Sequence, residues 1–276
     1  MLRASMNVPF LNLSAQHASI KEEVMEVVEK VLAHGHYILG PNVTAFEQEM
    51  AAYTGTRFGI GVNSGSDALT LALKALDIGP GDEVITTPFT YIAPAEAIHQ
   101  CGAKIVFADV DPQTFCLAPE GVEFRMNDKT RAIIPIHLFG QPAPLDELRA
   151  VAENKSLLVV EDCAQSIGSA YKGRMTGSIG SLGCYSFYPT KNLGADGDGG
   201  MVVTSDEGLA KKMRMLRVHG IERRYFHDLH GFNSRLDEVQ AAILRIKLKR
   251  LTGWNNRRKS IADRYNAGLE GLPLQV

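Results

Sequence analysis

The chain has 276 residues, 45% hydrophobic and 22% charged, and 29 basic against 31 acidic side chains leave a formal net charge of -2. That composition excludes collagen-like, low-complexity and wholly disordered chains, and the near-neutral balance argues against a protein that grips nucleic acid through its phosphates. The length suffices for one large domain or two smaller ones. No apolar run is long enough to span a membrane, and Met1-Leu2-Arg3-Ala4-Ser5-Met6 lacks the apolar core of a signal peptide, so the chain reads as cytoplasmic. Cys101, Cys116, Cys163 and Cys184 stand too far apart for a C-x-x-C pair and read as reduced, mostly buried thiols, with no metal site.

Short apolar runs alternate with helical patterns. Phe58 to Val62 reads as a strand and Asp67 to Leu76 as a helix stopped by Gly79-Pro80-Gly81. Glu83 to Thr86, Lys104 to Ala108 and Ala132 to Ile136 read as strands, with a helix over Ala93 to Cys101 and another over Leu145 to Glu153. Leu157 to Val160 shows no polar alternation, so both faces of that strand are expected to be buried. Cys184 to Phe187 and Met201 to Thr204 follow as strands. From Leu236 a long helix runs to about Leu269, with Leu236, Val239, Ile243, Ile246 and Leu248 at helical spacing and an expected interruption at Gly253. The alternation predicts an α/β fold with a mainly parallel central sheet flanked by helices.

In such sheets ligands sit at the carboxyl ends of the strands, and three of those ends carry chemistry. Asn63-Ser64-Gly65-Ser66-Asp67 joins the first strand to a helix. The residues alone leave open whether Ser or Asp simply caps that helix, or whether Gly65, the free amides and the Ser66 hydroxyl hold an anion. Asp162 closes a buried strand, where a carboxylate needs a partner; it either caps the next turn or holds a cationic ligand atom, with Gln165 able to donate to an oxygen of the same ligand. Lys191 follows an aromatic run and precedes the glycine-rich loop to Gly200, with Ser186 five residues earlier. Taken singly, a lysine there is a solvated surface residue; partly withdrawn from water, it is an amine suited to a Schiff base. Together the three ends offer an anion cradle, an acid for a ring nitrogen and a nucleophilic amine, the contacts that pyridoxal phosphate requires.

The segments NSGSDAL, PFTYIAPAEAI, FADVDPQTF, IHLFGQP, VEDCAQSIGS, SFYPTKNLGADGDGG and GFNSRLDEVQAA, in this order, resemble the sugar aminotransferases of the DegT/DnrJ/EryC/StrS family. The resemblance spans nearly the whole chain and implies the aspartate-aminotransferase-like architecture (fold type I). It implies transfer of an amino group, commonly from glutamate, to a keto group of a nucleotide-linked sugar, in a homodimer with shared sites. It places Lys191 at the Schiff-base position, Asp162 against the pyridine nitrogen and Gln165 near the ring hydroxyl. Gly65, Ser66 and Ser186 match phosphate contacts, Tyr91 the aromatic that stacks on the ring, and Asn233 a residue reaching the phosphate of the neighbouring subunit's cofactor, with Arg235 and Tyr225 nearby. Lysine rather than histidine at 191 argues against the dehydrating branch of the family. Relatives continue into a small C-terminal domain, so the resemblance divides this chain into a large cofactor-binding domain, 1–250, and the start of a second domain, 251–276. Within VEDCAQSIGS, Ile167 takes a position where relatives frequently carry polar residues.

Two other readings stand beside this one. A non-catalytic binding or regulatory protein would share the fold. A nicotinamide-dependent oxidoreductase rests only on the α/β alternation and on Gly59-x-Gly61, which lacks the third glycine of a dinucleotide fingerprint. His34-Gly35-His36 belongs to a loop, His34 to Pro41, expected at the site's mouth rather than to a metal centre. His137 and His219 read as packing or hydrogen-bonding residues, Arg257-Arg258-Lys259 as a solvated helix face, and Arg223-Arg224 as either a surface pair or a phosphate contact.

Overall fold

The structure is a computed structural model that describes residues 9–223 and 225–273; Arg224 of the Arg223-Arg224 pair, the opening Met1-to-Met6 segment and Leu274, Gln275 and Val276 lie outside the described residues. Three helices, α1 Leu13–Ala18, α2 Lys21–His34 and α3 Pro41–Thr54, precede β1 Phe58–Val62 and α4 Gly65–Ala75. Strand and helix then alternate: β2 Glu83–Thr86, α5 Ala93–Gln100, β3 Lys104–Phe107, α6 Pro119–Arg125, β4 Thr130–Ile133, α7 Leu145–Asn154 and β5 Leu158–Asp162. A hairpin of β6 Ala170–Tyr171 and β7 Arg174–Met175 leads to β8 Leu182–Ser186, β9 Gly200–Thr204 and α8 Glu207–Leu216. A second hairpin, β10 Ile221–Arg223 with β11 Phe226–His227, precedes α9 Glu238–Leu269.

The main sheet has seven strands in the order β1-β9-β8-β5-β4-β2-β3. β3, β2, β4, β5 and β8 run parallel, while β9 is antiparallel to both β8 and β1. β1, β5 and β8 therefore point the same way, and their carboxyl ends, at Val62, Asp162 and Ser186, meet along one edge. Alternation along the strands divides the core. Cys184 and Val202 face a cluster with Leu71 and Ile98 from α4 and α5, whereas Tyr185, Met201 and Val203 face Phe46, Met50 and Leu244 from α3 and α9. The mainly parallel α/β sheet agrees with the sequence-based expectation, and β5 is buried along nearly its whole length.

Three features differ from the reading of the sequence. α1, α2, α3, α6, α8 and the two hairpins were not assigned there, although Gly35 and Gly55 end α2 and α3 in the left-handed conformation and Pro41 opens α3. The run to Ile136 stops pairing as a strand at Ile133, leaving Ile136 as an isolated bridge to Asp162, because Pro135 has no N–H to give to the ladder. α9 passes through Gly253 without interruption: a Cβ there would meet open space, and a single glycine costs a helix only about 1 kcal/mol relative to alanine. The amino end of α9 is anchored by Glu238, whose buried carboxylate accepts the Asn42 N–H at 2.6 Å, the Asn42 side-chain amide at 2.8 Å and the Val43 N–H at 3.0 Å, so one side chain closes the start of α3. Among the described residues no helix is long and apolar enough to cross a membrane.

Candidate active site

A cavity of about 540 Å³ opens where the three strand ends meet. Lining it are Gly65, Ser66, Tyr91, Asp162, Gln165, Ser186 and Lys191, seven of the eight positions singled out from the sequence. The eighth, Asn233, is exposed, pairs with Val218 through a backbone bridge and does not line this cavity. Its neighbour Ser234 instead reaches the site's helix, donating to Asp67 Oδ2 at 2.6 Å and accepting the Asn63 N–H at 3.2 Å.

The start of α4 shows the cap, and its first amides remain compatible with an anion. Ser64 Oγ accepts the Asp67 N–H at 3.1 Å, a conventional N-cap, and the amides of Gly65 and Ser66 precede the first intrahelical acceptor. The glycine at 65 has a different local reason from the one expected. A Cβ there would stand 2.5 Å from Ser186 Cβ and 3.0 Å from its Oγ, so Gly65 first makes room for Ser186. Gly200 does the same on the other flank, where a Cβ would stand 2.2 Å from the Ser64 carbonyl oxygen.

Asp162 is buried at the end of β5, and its Oδ1 accepts the Ala164 N–H at 3.0 Å. Burial raises its carboxyl above the usual range, against the pull of that N–H and of the Lys191 charge. The side chain does cap its turn. Burial lowers the Lys191 amine below its ordinary value, against the opposing attraction of Asp162. Gln165 Oε1 accepts the Phe139 N–H at 2.7 Å, which fixes the amide and leaves its NH2 as the free donor. Tyr91 remains largely exposed at the rim. Thr90, Tyr188 and Asp198 also line the cavity: Thr90 precedes Tyr91, Tyr188 follows Ser186 by two residues, and Asp198 lies in the glycine-rich loop after Lys191.

Behind Asp162 lies a network that the sequence reading missed. Glu161, fully buried, points to the other face of β5. It accepts N–H bonds from Gly177 at 2.7 Å, Ile179 at 2.8 Å and Gly180 at 2.6 Å, and contacts His137 Nε2 at 3.0 Å. His137 Nδ1 accepts the Ala143 N–H at 3.0 Å, which puts the ring proton on Nε2, facing Glu161. Burial works to raise Glu161, yet the His137 hydrogen bond and the Gly180 and Gly177 amides hold it below the usual carboxylate range. His137, Glu161 and Cys163 offer ligand atoms within 4.8 Å of one another, but the glutamate oxygens are already taken by these donors.

The remaining candidates lie elsewhere. All four cysteines are free and buried, and burial pushes Cys163 and Cys184 well above the ordinary thiol range, as expected of packing residues. His34 and His36 are exposed, and none of residues 34–41 lines the cavity, because Glu238 holds the end of this loop against α9. His219 takes a positive φ and its carbonyl lies 2.9 Å from His227 Nδ1. Arg257, Arg258 and Lys259 are exposed, Arg235 is half-buried and Tyr225 exposed.

Comparison with known proteins agrees with this geometry. The chain is 49% identical over 265 residues to a "Pleiotropic regulatory protein" of Geobacillus stearothermophilus, covering 96% of this chain and 71% of that one. It is 48% identical over 266 residues to a dTDP-3-amino-3,4,6-trideoxy-alpha-D-glucose transaminase of Streptomyces venezuelae, covering 96% and 70%. Among solved structures it resembles S. venezuelae DesV in complex with a ketimine intermediate, with a TM-score of 0.95, 48% identity and coverage of 98% and 72%. It also resembles NtdA of Bacillus subtilis with bound cofactor PMP, with a TM-score of 0.92, 33% identity and coverage of 98% and 62%. The DegT/DnrJ/EryC1/StrS aminotransferase family model matches residues 18–276, so the strand-end cavity and the sequence around it lead to one assignment: the chain belongs to that family.

Proposed function

We propose that the chain is a pyridoxal-phosphate-dependent aminotransferase that moves an amino group, with glutamate as donor, to a keto group of a nucleotide-linked sugar in amino-sugar biosynthesis. The observation that carries this reading is the convergence of Lys191, Asp162 and the α4 amino end with Ser186 on one cavity. The residues present fit the cofactor: a helix start with free amides for a phosphate, a buried carboxylate for a protonated ring nitrogen, an oriented amide donor for a ring hydroxyl and an amine of lowered pKa.

Pyridoxal phosphate, when bound, supplies an electrophilic carbonyl and an electron-withdrawing ring. The chain's own groups do the rest. Gly65, Ser66 and Ser186 would hold the phosphate, Tyr91 would cover the ring, Gln165 would donate to the ring oxygen, and Asp162 would keep the proton on the ring nitrogen. Lys191 would hold the cofactor through Nζ, and the same Nζ, its pKa lowered by burial, would be the base that moves the proton from the donor's α-carbon. Ping-pong kinetics are expected.

The finer points belong to the same proposal. The enzyme works in the cytoplasm as a homodimer. Asn233, exposed and outside its own chain's cavity, serves the partner's phosphate, and the exposed Phe89, Tyr91 and Ile92 lie in the face that the second copy covers. The division near 250 draws on α9, which packs on the large domain through Trp254 and Asn255 and is exposed from Asn256 to Gly268. The test is a panel of nucleotide-linked keto sugars with glutamate, read by mass spectrometry for conversion of the carbonyl to a primary amine and for release of 2-oxoglutarate. A second reading, a cofactor-binding regulator, draws on the printed name of the Geobacillus relative; cofactor uptake with no 2-oxoglutarate from glutamate would favour it.

A further inference from the structure

α9 does more than pack. Gln240, Lys247 and Asn255 point from one side of this helix into the loop that carries Lys191. Gln240 Oε1 accepts the Asp196 N–H at 2.8 Å, and buried Lys247 donates to the Gly194 carbonyl at 2.7 Å and to Asp196 Oδ1 at 2.6 Å. Asn255 reaches the other end of the loop: its Oδ1 accepts the side-chain amide of Asn192, next to Lys191, at 2.9 Å. Its Nδ2 donates to the Ile167 carbonyl at 3.1 Å, in the turn that leaves Asp162. The carbonyl can only accept, so the Asn255 amide has one orientation.

The backbone makes room for this bridge. At Gly168, φ is +93° and a Cβ would stand 2.5 Å from Asn255 Nδ2. The apolar Ile167 side chain, in a position where polar residues were expected, turns into the core beside Cys163 and Leu251, and its carbonyl stays available to Asn255. Asn255 is half-buried and does not line the cavity, so any effect it has on the chemistry passes through Asn192 and Ile167.

We propose that Asn255 is a positioning residue for Lys191: by tying the lysine loop to the turn after Asp162, it fixes how the amine faces the groups that share its cavity. The inference rests on the proposed function for its chemical meaning, though its first readout needs no cofactor. In the cofactor-free protein, Lys191 is labelled with an amine-directed reagent across pH and the modification is located by mass spectrometry. Asp162 and Asp198 are the acidic side chains that line the cavity with it. In the second readout, added pyridoxal phosphate is trapped on Lys191 with borohydride and the trapping rate is measured.

Asn255→Ala, folded by its thermal midpoint, is expected to move the Lys191 titration toward that of an ordinary lysine and to slow trapping about tenfold, the size expected for two lost hydrogen bonds. Asn192→Ala breaks the same link from the loop side and stands in if Asn255→Ala does not fold. The double variant is expected to be no slower than the slower single variant, because the bond that Asn192→Ala removes is already lost in Asn255→Ala. Unchanged titration and trapping in a folded single variant, or independent multiplication of the two effects, would overturn the inference. A wild-type protein that traps no cofactor on Lys191 would instead sink the functional reading and leave the titration to judge Asn255.

Discussion

Glu161→Gln isolates what the buried network behind Asp162 contributes. In the native chain both carboxylate oxygens face only donors: Oε1 meets the Ile179 and Gly180 amides, and Oε2 meets the Gly177 amide and His137 Nε2. Glutamine keeps one acceptor oxygen and replaces the other with an NH2, which would face two donors. His137 cannot relieve the conflict by changing tautomer without abandoning the Ala143 N–H. Two buried donors left unsatisfied at about 1–3 kcal/mol each give about 2–6 kcal/mol, and loss of charge assistance at the other two pushes the cost toward the upper half. At about 2–4 °C per kcal/mol for a domain of this size, the thermal midpoint should fall by about 8–24 °C. The control is Glu153→Gln, which breaks an exposed pair with Arg149 at 2.9 Å and should move the midpoint by no more than about 2 °C. A Glu161→Gln melt within about 2 °C of wild type would refute the reasoning.

The same network predicts acid sensitivity. The folded pKa of Glu161 lies below its ordinary value of 4.5, so its stabilising contribution is complete above that value and is lost as pH falls through the lower folded one; urea midpoints measured from pH 7 downward should drop in that window for wild type and much less for Glu161→Gln. Gly65→Ala places a Cβ 2.5 Å from Ser186 Cβ, so either the α4 start or the end of β8 must shift. Pyridoxal phosphate affinity, measured by titration, should fall about tenfold or more, a loss of about 1.4 kcal/mol, and unchanged affinity would show that this close approach is unimportant.

Much of this site was legible because its residues follow apolar runs. β1, β5 and β8 stand out in the sequence, and residues just beyond such runs gather at one edge of a parallel sheet whatever their separation along the chain. Asp162 and Lys191 were found in that way. Glu161 was not, because adjacent residues of a strand face opposite sides, and nothing local says that its partners are His137 and the 177–180 turn. Asn255 was hidden for a related reason: its partners lie 63 and 88 residues away, and on a helix surface it looks like any other polar side chain. Gly65 shows the opposite case, a residue singled out from the sequence as a ligand contact whose nearest constraint is a neighbouring serine.

The central claim is that one lysine on this cavity tethers the cofactor. Protein loaded with pyridoxal phosphate should be reduced with borohydride, digested and mapped by mass spectrometry. The account predicts the reduced cofactor on the peptide containing Lys191, and its disappearance in Lys191→Ala. Attachment to a different lysine, or a colourless protein that takes up no cofactor, would contradict it.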